Sequence, residues 1–529
     1  MNRLAGTFAL EAKLAWRYGI VAIAAVLAVL WTGLLLALPV SGTQAVVPFL
    51  LFLDTAGFGA LFAVGLLMFE RVEGTAAARA VTPVSPREGA LVRVGVLSLP
   101  VVAMAVPMIV VAAPDGRLWG ALGYATAGVA LTSVLLVAVC LGVGARTRTV
   151  QGALLATAPA IAPLIALPVM HLAGVVQAPW LWAVPTTSGA EMINRGLTGQ
   201  VGTPEGLGGG IALLYAVGCA VAVCWWAGRR SDPEVAAVQH GRGRRAPTKS
   251  HPLDTASGPH QGANLRPDRA GARHLARTRR WGHPLMGLAR YELVGVGRDP
   301  LLVTVALAPL PLALLLRWAW PPLVEYLRST HGFDPAPHTP AVFGALVLLH
   351  IPVMVGAVVA LRVAEDIDDR ILLVLRVSPL SLTAYFVFRT GTACLIALVG
   401  LTIAVPLSGL APTMSPGLVT AVVLAALFAP LVVLATAAFA SNKVEALVVI
   451  KAVAAVSALA PVLAWVLPTP WWSPLLALPP AWSLLALPGY PGDTAPSPVI
   501  LLGGLVTAAA AALALGRRIR SRLQRWPGG

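Results

Sequence analysis

The sequence predicts an all-α polytopic membrane protein: two homologous six-helix transmembrane halves, about 12 spans in all, joined by a flexible basic linker. An apolar composition, two sets of span-length apolar runs and short motifs recurring in the same order in both sets lead to that class. Hydrophobic residues make up 57% of the 529 positions and charged residues 11%, a balance that excludes a wetted soluble surface.

A span needs about 20 apolar residues, because the hydrocarbon core is roughly 30 Å thick and a helix rises about 1.5 Å per residue. Apolar runs between charged or Pro/Gly-rich breaks place spans near 19–39, 46–68, 91–113, 118–142, 150–173 and 208–228. A second set falls near 300–320, 341–363, 386–410, 416–440, 446–467 and 497–516. Arg3, Glu11, Lys13 and Arg17 precede the first run and no small-residue cleavage site follows it, so it reads as a retained span rather than a signal peptide.

Lys and Arg mark the expected cytoplasmic side. Arg3, Lys13 and Arg17 stand at the start, Arg71, Arg79, Arg87 and Arg93 after the second span, and Arg146 and Arg148 after the fourth. The opposite loops carry Arg117, Arg195, Arg317 and Arg328, four of the 38 basic residues, so both termini and the linker are expected in the cytoplasm. The implied location is the bacterial inner (plasma) membrane.

The expected domains are 1–228, a basic linker at 229–285, and 286–529. The linker holds twelve Lys or Arg against Asp232, Glu234, Asp254 and Asp268, about half of the +16 net charge. Attraction to anionic lipid head groups accounts for such a segment more economically than nucleic acid does. Cys140, Cys219, Cys224 and Cys394 lie in apolar runs without a CxxC pair, which suggests neither a disulfide framework nor a metal site. No GxxxxGK[ST] phosphate loop occurs, so the chain is not its own P-loop ATPase.

The halves match at four ordered anchors. Glu11 and Arg17 precede the first span with the spacing of Glu292 and Arg298 before the seventh. At a shift of 296, Glu70, Glu73, Thr82-Pro83-Val84-Ser85 and Arg93 correspond to Asp366, Asp369, Ser378-Pro379-Leu380-Ser381 and Arg389. At a shift of 294, Val150-Gln151-Gly152 matches Val444-Glu445-Ala446, and Ala183-Val184-Pro185 matches Ala477-Leu478-Pro479. Duplication and fusion explain the order.

The strongest anchor has physical content. Thr82-Pro83 and Ser378-Pro379 each offer a hydroxyl N-cap followed by a proline whose missing N–H costs nothing in a first turn. Ser85-Pro86-Arg87-Glu88 is a second start signal with capping-box spacing, which leaves the first helical residue open. Each half is therefore expected to form an elbow. A span runs into an acidic segment, with Glu70, Arg71 and Glu73 in one half and Glu365, Asp366, Asp368, Asp369 and Arg370 in the other, then turns sharply into the next span. The plainer reading, charges that hold helix ends at the interface, stays open.

Glu-x-x-Glu-Gly-Thr at 70–75, Thr-Pro-Val-Ser at 82–85 and Arg93 resemble the type-2 ABC exporter permeases. The chain is particularly similar to bacterial drug-export permeases of the fluoroquinolone-exporter kind, as a fused pair. The resemblance covers both halves and leaves out the linker. It implies that the loops at 70–90 and 366–386 are coupling helices docking on separate cytoplasmic ATPase subunits, two copies in the simplest case. Glu70, Arg71, Glu73, Thr82, Pro83, Ser85, Glu365, Asp366, Asp369, Pro379 and Ser381 would build those surfaces. ATP and Mg would bind the partner, with no cofactor and no catalysis in this chain. The resemblance also implies connecting helices around 3–17 and 286–298 and re-entrant outer segments at 174–207 and 468–496. The second half departs with Asp-Asp-Arg at 368–370 and with Ala446, so the coupling surfaces are expected to differ.

Inside the membrane, Asp54 and His350 are ionisable at matching depth, related by the shift of 296, and are candidates for a substrate or gating contact. A capped polar residue in a packed interface is the alternative. Lys451 is expected to snorkel. Trp180, Trp182, Trp471, Trp472 and Trp482 are expected to form an interfacial belt. Pro107, Pro163, Pro309, Pro311, Pro352 and Pro430 should kink or unwind their helices. An ion-gradient-driven transporter, which normally needs more buried carboxylates than Asp54, and a non-transport scaffold are the competing functions. The substrate is not legible beyond the apolar small molecules or drugs that the resemblance suggests.

Overall fold

The computed structural model describes residues 3–72, 84–147, 150–176, 178–199, 209–243, 307, 309–368, 371–372, 381–466, 474–487 and 497–524, and among them it contains helices and turns but no strand. In the first half these are α1 (Arg3–Arg17), α2 (Ile20–Ala37), α3 (Val40–Leu50), α4 (Ala56–Val72), α5 (Pro86–Ala112), α6 (Leu118–Gly144), α7 (Val150–Leu172), α8 (Pro185–Thr198) and α9 (Gly209–Gly243). The second half has α10 (Pro309–His331), α11 (Thr339–Phe343), α12 (His350–Asp368), α13 (Leu382–Ser408), α14 (Pro416–Ala426), α15 (Phe428–Phe439), α16 (Lys443–Val466), α17 (Pro479–Leu485) and α18 (Ser497–Gln524).

Among the described residues, nine helical stretches are long and apolar enough to cross a membrane, or ten if the bent pair α1 and α2 counts as one. The nine coincide with all the expected spans except the first, seventh and eleventh. α2 stands at the first position, where it bends 63° from α1 at the left-handed Gly19 (φ 74°). α10 and α16 occupy the other two places and are not among the nine; residues 300–306 of the seventh lie outside the described residues. α9 runs on to Gly243, past the boundary placed at 228, and 244–285 of the expected linker lie outside the described residues.

Two of the expected proline effects are visible as local geometry. The fourth span of the second half breaks at Leu427 between α14 and α15, where Pro430 cannot donate to the Ala426 carbonyl. The second span of each half contains a π turn, Leu51–Thr55 and Gly344–Leu349. Pro352 lies just beyond the latter and removes the N–H that Leu348 would accept, which favours the wider turn. Pro107 and Pro163, by contrast, sit inside α5 and α7 without a break in the helix.

The fourth span is the hub of each half. α6 packs on α4, α5, α7, α8 and α9, and α15 packs on α12, α13, α16 and α18. The short helix α8 lies tight against α6, because a Cβ on Gly128 would stand 2.5 Å from the Gly189 carbonyl oxygen. α8 starts at Pro185 and its counterpart α17 at Pro479, both within the matched Ala-x-Pro segments. The tryptophans divide. Trp180 is exposed as a belt residue would be, whereas Trp182 is buried and Trp482 donates its indole N–H to the Leu476 carbonyl at 2.8 Å. Trp471 and Trp472 lie outside the described residues.

The halves meet through α16, which packs on α2 and α4 of the first half, with Leu447 seated where a Cβ on Gly65 would be. At the opposite end, Tyr326 of α10 covers Gly174 and Phe333 approaches Gly42.

Replacing Gly128 with Val forces α8 off α6. The expected loss is about 2–4 kcal/mol, read as a lowered thermal midpoint of the detergent-purified chain, while Gly123→Ala, whose Cβ meets open space, leaves it unchanged.

Candidate functional site

The charged residues gather at one end of the bundle, where α1 lies across the start of α5. α1 is amphipathic, with Glu11 and Ala15 on its buried side. α5 is started by Ser85, whose Oγ accepts the Glu88 N–H at 3.2 Å while Glu88 Oε2 accepts the Ser85 N–H at 2.9 Å, a complete capping box. Arg3 Nη2 then reaches Glu88 Oε1 at 2.6 Å on the surface. One turn deeper, Arg93 Nη2 donates to Glu11 Oε1 at 2.9 Å with the two side chains 4% and 2% exposed. This pair binds the surface helix to the third span.

The second half builds its version from the same arginine and a different acid. Arg389, the counterpart of Arg93, donates to Asp366 Oδ2 at 2.9 Å, and the Tyr385 hydroxyl donates to the same oxygen. Lys443 Nζ, at the start of α16, donates to Glu365 Oε1 at 3.2 Å. Glu365 and Asp366 thus fasten the end of α12 to α16 and α13. Ser381 caps α13, its Oγ accepting the Ala384 N–H at 3.1 Å.

The expected helix starts are therefore placed more finely. In each described helix the N-cap is the last residue of the matched motif, Ser85 and Ser381, rather than the Thr82 or Ser378 hydroxyl ahead of the proline. Glu73, Thr82, Pro83, Asp369 and Pro379 lie outside the described residues; Glu70 and Arg71 close α4, and their side chains also lie outside.

The two membrane candidates share an unusual setting. Asp54 sits within the π turn of its span and His350 directly follows the π turn of the other, so both stand at or beside a locally widened turn. The Asp54 side chain lies outside what is described, and a contact between the two is not placed. His350 is exposed although Leu349 and Ile351 on either side are buried. Lys451 lies within electrostatic reach of it. Lys451 is about 12 Å along α16 from Lys443, and His350 about 22 Å along its span from Glu365.

At the far end, His171 Nε2 lies 3.6 Å from Glu191 Oε2 in a buried pair, with the His171 ring edge-on to Trp182 at 5.7 Å. Between α10 and α11, Asp334 accepts the Ala336 N–H and the Arg328 guanidinium, both at 3.0 Å, and these hold its carboxyl below the usual range. Sequence reading missed Lys443, Tyr385 and the His171–Glu191 pair, because their partners lie 78, 19 and 20 residues away on other elements. It missed the π turns because a proline such as Pro352 signals a distortion without specifying a π turn.

Both halves match models of one kind. Residues 2–235 match the Fluoroquinolones export permease protein family, and residues 292–515 match the family described as Fluoroquinolones export permease protein Rv2686c-like. Each half of the chain thus matches a fluoroquinolone export permease family, and together the matches support a drug-export permease. Its relatives include Fluoroquinolones export permease protein Rv2686c of Mycobacterium tuberculosis, 29% identical over 242 residues, which are 45% of this chain and 94% of that protein. Fluoroquinolones export permease protein Rv2687c of the same organism is 27% identical over 228 residues, 42% of this chain and 92% of that protein. Each relative is matched almost end to end by less than half of this drug-export permease, which has the length of two. The stretch between the two matches, 236–291, falls largely on the expected linker.

The buried pair gives a sharp test. Glu11→Gln takes the neutralising charge from Arg93 and is expected to cost about 3–5 kcal/mol, whereas Arg3→Gln at the exposed pair costs under about 1 kcal/mol. Equal shifts in thermal midpoint for the two variants would show that the buried clamp is not special.

Proposed function

We propose that this chain supplies both halves of the membrane permease of an ATP-driven exporter, with the charged end of the bundle in the cytoplasm of a bacterial cell and both termini and the linker on that side. Separate ABC ATPase subunits, one at each elbow, bind ATP and Mg and supply the hydrolysis; the permease performs no bond-breaking step. The observation that supports this reading is the repeated arginine clamp. Arg93 and Arg389, each at the head of the helix after an elbow, are fixed by a carboxylate at 2.9 Å to the neighbouring element. A push on either elbow then moves a rigid unit, as a coupling surface requires.

The relatives' names point to fluoroquinolones as the substrate class: flat, largely apolar molecules carrying a carboxylate. Rocking of the two halves about α16 would expose a site alternately to the two sides. Asp54, His350 and Lys451 supply ionisable groups within the spans, where such residues often mark a pathway. Lys451 would attract the carboxylate of such a substrate, and the His350 imidazole would donate a hydrogen bond to it.

Charge reversal of the elbows tests the coupling. Asp366 is a poor probe, since its reversal also breaks the clamp to Arg389; Glu70, Glu73 and Asp369 are the positions to reverse. ATPase activity that co-purifies with the gently solubilised chain is expected to be lost together with the bound subunit in the triple variant. If no ATPase co-purifies with the wild-type chain, a gradient-driven transporter takes its place.

The pathway residues are tested separately by norfloxacin accumulation in cells. Lys451→Met and His350→Ala, at wild-type membrane level, are expected to lower the export rate by about tenfold, one polar contact of about 1.4 kcal/mol each. Wild-type export by both would remove them from the pathway.

A further inference from the structure

A groove of about 680 Å³ opens at the charged end between the start of α13 and the end of α18. Its wall is apolar, formed by Leu382, Phe386, Val387 and Leu513, and its rim carries Arg517 and Arg520. Val387 and Leu513 are 62% and 64% exposed, so the groove is open sideways, along the flank of the bundle.

The arginines of α18 divide into two pairs. Arg518 and Arg522 turn back to the C-terminal end of α15, where Arg518 donates to the Ala438 carbonyl at 3.4 Å and Arg522 to the Ala437 and Ala440 carbonyls at 3.2 and 2.5 Å. They complete a helix terminus whose carbonyls need donors. Arg517 and Arg520, three residues apart and on one face, turn to the groove and have no ion-pair or hydrogen-bond partner among the described residues.

The first half shows what a closed version looks like. Gly228-Arg229-Arg230 at the end of its sixth span repeats as Gly516-Arg517-Arg518 at the end of the twelfth. A Cβ on Gly228 would stand 3.2 and 3.4 Å from Arg87 Cγ and Cα, so α9 and α5 touch there. Arg229 lies 3.6 Å over the Trp225 ring, and Arg230 lies 4.2 Å over Trp226. In the second half a Cβ on Gly516 would meet open space, Leu513 replaces Trp225, and Arg517 is uncovered.

We propose that this groove binds an anionic phospholipid of the surrounding membrane, its acyl chains along the apolar wall and its phosphate on Arg517 and Arg520. Charge and shape argue for this occupant: an apolar wall that opens along the bundle flank, ending in two adjacent guanidinium groups, matches a molecule with an apolar tail and an anionic head. Guanidinium groups suit phosphate because their donors form a planar fork. The assignment of the groove to the cytoplasmic leaflet rests on the orientation in the preceding section; the binding itself does not.

The test is native mass spectrometry of the full chain, purified in detergent and equilibrated with equal amounts of phosphatidylglycerol and phosphatidylcholine. Retained phosphatidylglycerol over phosphatidylcholine is expected, and Arg517→Gln/Arg520→Gln is expected to weaken its retention about 10- to 30-fold. Arg229→Gln/Arg230→Gln, the same loss of charge in the first half, leaves retention unchanged. Gly516→Leu, which fills the groove without altering charge, lowers retention of both lipids. The proposal is overturned if the two lipids are retained equally, if the two double variants behave alike, or if a fluoroquinolone displaces the lipid at micromolar concentration. The last result would make the groove a substrate site. None of these readings depends on an ATPase partner, so failure of the exporter model would not decide it.

Discussion

The structure depends on one interaction made twice, an arginine at the head of the third span of each half held by a carboxylate that is buried in the first half and part-buried in the second. A guanidinium near the edge of an apolar bundle is stable only with an opposite charge beside it, because burial of an isolated ion costs several kcal/mol. Arg93 therefore requires Glu11, and with it α1, to close over it. Arg389 requires Asp366, and with it the end of α12. A charge that would be a liability in isolation becomes the bond between a surface element and a span. The surface pair between Arg3 and Glu88 adds to the same junction while contributing little energy of its own.

The two halves repeat a framework of helices and motifs, but their contacts differ. α16 bridges the halves through Leu447 and Gly65, whereas its counterpart α7 packs mainly within its own half, on α6 and α8. The Gly-Arg-Arg triplet follows the same course, packed and covered in one half and open in the other. Such differences arise cheaply at helix surfaces, since replacing Trp by Leu at one exposed turn uncovers a groove without disturbing the hub helix beneath.

Much of this was legible in the sequence where the physics is local. Apolar runs located the spans because the bilayer sets their length, and the Ser-x-x-Glu spacing at Ser85 announced a cap that α5 uses. The matched motif pointed to Arg93 and Arg389 as equivalent, but their acids were out of reach: Glu11 lies 82 residues from Arg93, and the choice between several nearby carboxylates is made by packing. The π turns were hidden altogether, since an extra residue in a turn leaves hydrophobic periodicity almost intact.

The two clamps also make the halves mechanically unlike. In the first, the arginine is tied to a helix that precedes the first span and is bent 63° from it, so force on the elbow spreads sideways through a lever lying across the bundle. In the second, it is tied to the end of the second span, which Lys443 also binds to α16. Force there passes along α12 to His350 and across α16 to the first half. In the proposed cycle, one ATPase subunit would thus act on the flank of the molecule and the other on the contact between its halves, although the spans they push occupy matching places in the two halves.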